Sequence, residues 1–499
     1  MKKHFIIFLL FGLGSLQIQA QDAFDAMRFA NTQQFGTARF AALGGAMGAL
    51  GGDFSAINVN PAGSAVFNHN QVGGTMAFAN TNNKTNFFGG AVNKTETNFN
   101  IDQAGGVWVF TDTESKSVDK ITFGINYEKT NDFNNNIATS GINPQNSIAN
   151  YFLSYANGVS LNTITNNDFE NLNYREQQAY LGYEGFLINP VSGSNNQYQS
   201  NLSGTQNFRQ QNSVQSLGYN GKLNFNMGAS VNKKYFFGIN LNAHFVDFTR
   251  SSLFIEDYRG TANHNTASGV QSVRFSNDLY TYGNGYSVQI GAIAKVTESF
   301  RVGASYDSPT WYNLNDELLQ TLQIGCVDCG TRPNQFFADP DVKMIYPTYQ
   351  LRTPGKTTAS LAYIFGKKGL VSFDVSNRNF NNSRFGPQND YTKTNSEIQN
   401  TFRSNTMEYR LGAEYRIKQV SLRGGYRFEQ SPYKDNITIG DLSSYSGGLG
   451  YSFGDIKLDM AYVMMRRSSQ FQAFSQGLID RANVANTFKN FVITLLFDM

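Results

Sequence analysis

Arg410 and Arg427 flank the turn Lys418-Gln419 at spacings that bring them face to face. If Ile417 pairs with Val420, an antiparallel hairpin sets the two guanidinium groups directly opposite each other. Cations side by side repel unless an anion lies between them, and a ligand carboxylate would serve, held by charge-assisted hydrogen bonds. The competing arrangement is internal: Glu408 and Glu429, one step further along, neutralise the arginines diagonally, and Glu414 with Arg423 forms a plain structural pair. Cys326 and Cys329 are the only cysteines. A zinc site needs four ligands and no second Cys or His pair lies nearby, so a local disulfide in a loop of an oxidising compartment is expected. The four histidines include His4 near the start of the chain, His69 and His244, and no Ser/His/Asp set or helical His pair accompanies them. Neither catalysis nor a cofactor is expected. The glycines from Gly44 to Gly52 follow no hydrophobic strand, which excludes a nucleotide loop. Asp53 and Asn60 suit turns held by side-chain to backbone hydrogen bonds. In the stretch 148–156, Ile148, Tyr151, Phe152 and Tyr155 fall on one side of a short helix. Exposed, they would form a first capture surface for a greasy ligand; packed inward, they would fasten a loop.

The elements that must carry these residues are strands. From residue 71 onward the chain falls into segments of strict alternation, the period-two pattern of a strand with one apolar and one polar face. Ile121, Phe123, Ile125 and Tyr127 alternate with Thr122, Gly124, Asn126 and Glu128. Phe225, Met227 and Ala229 alternate with Asn224, Asn226 and Gly228. A soluble sandwich would put many Lys and Glu on the polar face; here it carries mainly Gly, Ser, Asn and Thr, as a crowded polar lumen would. About fourteen such segments occur, near 71–80, 101–112, 119–130, 219–232, 234–249, 284–297, 300–309, 356–366, 369–379, 405–417, 419–429, 443–454, 455–466 and 487–498. Tight turns alternate with long polar loops, the longest about 131–218, which is the rhythm of periplasmic turns and extracellular loops. The expected fold is all-β: an antiparallel transmembrane barrel of about fourteen strands over 71–499. Parity supports the register, because Leu449 and Tyr451 meet Met460 and Leu458 if Phe453 pairs with Ile456.

Composition agrees. The 499 residues include 47 Gly, 42 Phe and 26 Tyr with only 15% charged, yet mean hydropathy is −0.38. Lipid-facing and lumen-facing residues average out in this way. A net charge of +3 with no basic stripe excludes nucleic acid as a partner. Lys2 and Lys3, an apolar run from Phe5 to Leu16, and Ala20 have the layout of a signal peptide over 1–20. The Gly- and Ala-rich stretch 21–70 suits close packing inside a confined space, as a plug in the lumen. The end of the chain, Phe491 to Met499, resembles the terminal strand read by the barrel assembly machinery of the Gram-negative outer membrane, although the last residue is Met rather than Phe.

Asp53-Phe-Ser-Ala followed by Asn60-Pro61-Ala62-Gly63, ahead of the first strand, resembles the N-terminal hatch of the long-chain fatty acid transporter (FadL/TodX) family. Val302 to Tyr306, Leu422 to Tyr426 with Ser431-Pro432, and Tyr445 to Tyr451 extend the resemblance from about residue 36 to the end. It implies a fourteen-stranded barrel plugged by the hatch, in which an apolar, fatty-acid-like ligand is caught among extracellular loops, enters the lumen and leaves sideways into outer-membrane lipid. No energy-coupling box is recognisable before the hatch, so passive movement fits. The family also includes importers of aromatic hydrocarbons, and some relatives carry haem-receptor labels. A surface receptor or adhesin using the barrel only as an anchor is the alternative from another class.

Overall fold

Alternation becomes a closed ring of fourteen antiparallel strands. The computed structural model describes residues 22–112, 117–202, 205–258, 268–329, 332–338 and 340–499. The expected signal peptide lies outside the described residues. The first seven strands are β1 Gln71–Phe87, β2 Gly90–Thr111, β3 Val118–Asp132, β4 Phe208–Val231, β5 Tyr235–Asp257, β6 Gly269–Lys295 and β7 Phe300–Asp307. The second seven are β8 Lys356–Ile364, β9 Gly369–Arg378, β10 Thr406–Ile417, β11 Val420–Glu429, β12 Ile439–Ser452, β13 Ile456–Gln472 and β14 Arg481–Asp498. Each pairs with the next, and β14 returns to β1 from Gln71↔Asp498 to Asn86↔Asn483, which leaves the ring without an edge.

The apolar face points outward. Phe123, Ile125, Phe225 and Met227 are exposed, whereas Thr122, Asn126, Asn224 and Asn226 are buried in the lumen. In water this arrangement would be unstable; in a bilayer it is the low-energy one. The register follows residue parity: Ile417 faces Val420, Arg410 faces Arg427, and Leu449 and Tyr451 meet Met460 and Leu458.

The strands run further outward than alternation indicates. β1 and β2 continue to a tight turn at Phe88-Gly89, and β4 begins at Phe208 rather than near 219. Six further strands of the 20-stranded sheet raise the extracellular wall, including Asn135–Asn143 against β4 and Trp311–Val327 against β6. The long loop shrinks accordingly to 144–207. Above the membrane both strand faces meet water, so the apolar signal that reveals a half-exposed strand disappears.

Residues 22–70 fill the lumen. They form helices α1 Ala23–Ala30, α2 Ala38–Ala42 and α3 Phe54–Val59, then a 3-10 turn Pro61–Val66. Lumen-facing glycines let this segment touch the wall. A Cβ on Gly425 would stand 2.2 Å from the Gly44 nitrogen, and one on Gly238 would stand 2.3 Å from the Pro61 carbonyl carbon. Gly425→Ala is therefore expected to push the Gly44 turn off the wall at a cost of about 1–2 kcal/mol. The barrel should still form, and the displacement should register as faster proteolysis within 36–52.

Candidate functional site

The motif residues explain how the hatch holds its shape. Asp53 caps α3 by accepting from the Ser55 N–H at 2.9 Å, and it also accepts from the Thr37 hydroxyl at 2.8 Å. Asn60 caps the 3-10 turn by accepting from the Ala62 N–H at 3.1 Å. Its amide donates to the Gly48 carbonyl at 2.8 Å and to Ala292 of β6 at 3.0 Å. Pro61 starts the turn, where its missing N–H costs nothing. Its carbonyl accepts from Asn226 of β4 at 3.0 Å. Ala62 is fully buried, and the Gly63 carbonyl accepts from the Gly52 N–H at 3.0 Å.

Two ionic contacts tie the hatch to the wall. Asp374 of β9 accepts from the N–H groups of Met47 and Gly48, both at 3.0 Å. Glu414 of β10 receives Arg39 at 3.0 Å together with Arg423 at 2.8 Å and Arg416 at 2.5 Å. Sequence reasoning paired Glu414 with Arg423 but missed Arg39, which lies 375 positions away. Asp374→Asn removes the charge from two hydrogen bonds and is expected to cost about 1–2 kcal/mol. Cells carrying it should become measurably more sensitive to a large antibiotic, because a looser hatch leaks; unchanged sensitivity would show that Glu414 alone suffices.

The hatch divides the lumen into two cavities. Asp22, Asp25 and Arg28 of α1 and its cap line the floor of an outer cavity of about 430 Å³, while Phe29, Ala30 and Gln33 roof an inner one of about 140 Å³. The inner cavity is polar and strongly basic, with Lys129, Lys222, Lys356, Arg378, Arg410 and Arg427 in its wall. Every one of these cations is already engaged. Lys129 meets Asp132 at 2.7 Å, Lys356 meets Asp307 at 3.2 Å, and Lys222 meets Glu128 at 3.8 Å. Arg378 donates to the Ala30 carbonyl at 2.9 Å.

Arg410 and Arg427, the pair singled out from their spacing, share Glu408. Arg410 grips it through two hydrogen bonds of 2.8 Å; Arg427 reaches it at 2.5 Å and Glu429 at 2.6 Å. Of the two arrangements weighed from sequence, this geometry is the internal one. His244 faces the lumen, shares a 2.9 Å hydrogen bond with Ser287 and packs on Tyr312. His69 lies at the periplasmic rim, 3.6 Å from Asp498.

The outer cavity differs. Its wall mixes apolar side chains, with Phe24, Phe248, Phe254, Phe471 and Phe474 joined by Leu279 and Leu318, and uncharged polar ones such as Asn212, Ser252, Asn277 and Gln472. Arg28 is neutralised by Asp25 at 2.6 Å and lies over the Phe248 ring at 4.3 Å. Arg481 has Asp435 at 3.9 Å. Arg250 of β5 lines the same cavity, and among the described residues it has no hydrogen bond and no carboxylate within 4 Å. Parity places it with His244, Val246 and Phe248 on the lumen face. The alternation ends at 249, one residue short, which is why it escaped notice.

The loop residues behave unequally. The expected helix forms as α4 Ile148–Ala156, capped by Ser147. Ile148 and Phe152 are fully buried against Phe275, Leu322 and Ile324, so they fasten the loop rather than present a surface. Tyr155 packs at the edge of that cluster. Tyr151 alone of the four lines the outer cavity; its hydroxyl donates to Gln178 at 2.9 Å, and burial pushes its pKa well up, so it stays a donor. Cys326 and Cys329 stand 6.1 Å apart at their Cα atoms with their sulfurs bridged, on the buried side of the same cluster.

Comparison with known proteins places the chain. The fold resembles a Pseudomonas aeruginosa FadL homologue at 12% identity, with a TM-score of 0.54 over 94% of this chain and 99% of that one. It also resembles the Pseudomonas putida toluene transporter TodX at 14% identity, with a TM-score of 0.52 over 94% and 99%. No curated protein sequence matches it. The family model for outer membrane protein transport proteins (OMPP1/FadL/TodX) matches residues 185–496, more than half of the chain. With a closed barrel, a plugged lumen and a partly apolar cavity beneath its loops, the chain belongs to this OMPP1/FadL/TodX family and is an outer-membrane transporter of hydrophobic compounds, not an enzyme.

Proposed function

We propose that the compound is a long-chain fatty acid or a close chemical relative, an apolar tail bearing one carboxylate, and that it moves passively past a hatch that shifts. The observation that supports this reading is the outer cavity itself, where aromatic side chains suit the tail and Arg250, though it shares the cavity with Asp22 and Asp25, has no ion pair within 4 Å. Apolar surface with a few convergent polar and charged groups is the usual make-up of a site for an amphiphile, and of the three arginines here Arg28 and Arg481 have ion pairs while Arg250 has none within 4 Å. A carboxylate at Arg250 would form the charge-assisted hydrogen bonds that the protein leaves unmade. Tyr151 at the rim and Arg28 on the floor extend the same surface. Below α1, the basic inner cavity gives an anionic head group a favourable potential on its way inward, even though its cations are individually paired.

The five phenylalanines of the outer cavity also suit a neutral aromatic hydrocarbon. The test is uptake by cells that lack their own transporter and express this protein, with labelled long-chain fatty acid, toluene and haem in parallel. Fatty acid uptake well above that of the other two supports the proposal. Preferential toluene uptake moves the substrate to the aromatic class, and no uptake from a correctly inserted barrel points to a loop-mediated surface receptor.

A further inference from the structure

We infer that the outer wall of β13, β14 and β1 carries a binding site for a phosphorylated glycolipid of the outer leaflet, formed by Lys84, Arg466 and Lys489. The pairing registers fix the heights of these residues. Tyr462, Phe491 and Phe78 form one outward row across the three strands, all well exposed and apolar. In the next row toward the cell exterior, Lys489 stands between Met464 and Asn80, in line with the outward Tyr426 and Tyr445 on the neighbouring strands. Arg466 occupies the row above, opposite Thr487, and Lys84 the row above that, opposite Ala485.

The apolar band therefore ends at Lys489. Interfacial tyrosines mark the level of the lipid head groups, so the three cations begin at that level and climb through it. With a rise of about 3.3 Å per residue and about 4.8 Å between strands, Lys489 and Arg466 lie roughly 8 Å apart, and Lys489 and Lys84 roughly 14 Å apart. Side chains of this length can converge on two phosphates of one head group.

All three are exposed. Among the described residues none has a carboxylate partner, and the one contact of Arg466 is with the Met464 sulfur at 4.0 Å. Their neighbours Asn80, Asn82, Thr95 and Thr97 are uncharged donors that would complete hydrogen bonds to phosphate and sugar. On the opposite side of the ring the outward residues near the same level carry both signs: Asp247 on β5 and Asp278 on β6 are exposed, and so is Arg352, which faces Trp311. The clustering of three cations on three adjacent strands, rather than a ring-wide asymmetry, carries the assignment.

The test uses the full barrel in detergent. Wild type and the triple variant Lys84→Gln/Arg466→Gln/Lys489→Gln are titrated with diphosphorylated lipid A, with dephosphorylated lipid A, and with lipid A in the presence of millimolar inorganic phosphate, and bound lipid is counted by native mass spectrometry. At about a fivefold factor for each basic residue facing anionic lipid, the triple variant should bind diphosphorylated lipid A on the order of 100-fold more weakly. Dephosphorylation should erase the advantage of wild type, and phosphate alone should fail to displace the lipid. Equal binding by wild type and variant overturns the proposal, as does displacement by free phosphate. Heat-dependent gel mobility confirms that the variant is folded, and a conservative Lys84→Arg/Arg466→Lys/Lys489→Arg variant should retain binding within about threefold.

Discussion

Glu408→Gln lowers the unfolding free energy of the barrel by about 3–5 kcal/mol, the expected cost of removing the shared partner from a buried ionic cluster. Glu408 accepts from both Arg410 and Arg427, and Lys356 and Arg378 border the same small cavity. Without it Arg410 and Arg427 lose their shared carboxylate; Asp307 still holds Lys356, but the Glu429 left to Arg427 is already drawn on by Arg467 at 3.0 Å. The measurement is guanidinium unfolding of the refolded barrel in vesicles. Adding Arg410→Gln to Glu408→Gln should recover part of the loss, since the orphaned charge goes with its partner. A loss below about 1 kcal/mol would mean that water in the lumen solvates these arginines, and would return both to contention as ligand contacts.

Arg250→Gln reduces fatty acid binding about 30- to 100-fold, equivalent to about 2–3 kcal/mol for hydrogen bonds between a guanidinium and a carboxylate in a partly enclosed site. The methyl ester of the same fatty acid, which has the tail but no charge, should bind wild type and variant within about threefold of each other. Toluene should be equally indifferent. The barrel should unfold at nearly the same denaturant concentration, because Arg250 makes no hydrogen bond and no ion pair within 4 Å among the described residues. Undiminished binding of the free acid by Arg250→Gln would remove the head-group assignment. The paired control is Arg410→Ala/Arg427→Ala, for which the geometry predicts a stability defect more readily than a change in ligand preference.

The contrast between these arginines shows where sequence reasoning reaches. Arg410 and Arg427 were visible because a two-residue turn fixes register and parity fixes face, and the barrel puts them opposite each other. Whether they are free is a matter of which carboxylates lie near, and the structure puts Glu408 within reach of both. Arg250 was invisible because it lies just past the end of the apolar alternation, on a stretch of β5 that rises above the lipid. The four loop residues were placed correctly on a helix, but which side of that helix meets the cavity depended on Phe275 and on the strand Trp311–Val327.

By itself the sequence determined the strands that cross the membrane, their register across short turns, and the identity of the hatch, because each is set by residues close in the chain: period-two alternation, turn length, and a cap such as Asp53 acting on Ser55. The tertiary structure decided what the lumen can bind. Free charge, cavity volume and access come from side chains brought together from elements hundreds of residues apart, as Arg39 of α2 meets Glu414 of β10 and α1 meets the wall beneath Arg250. Those distances are fixed only when the ring closes, since closure gives every lumen-facing side chain its neighbours.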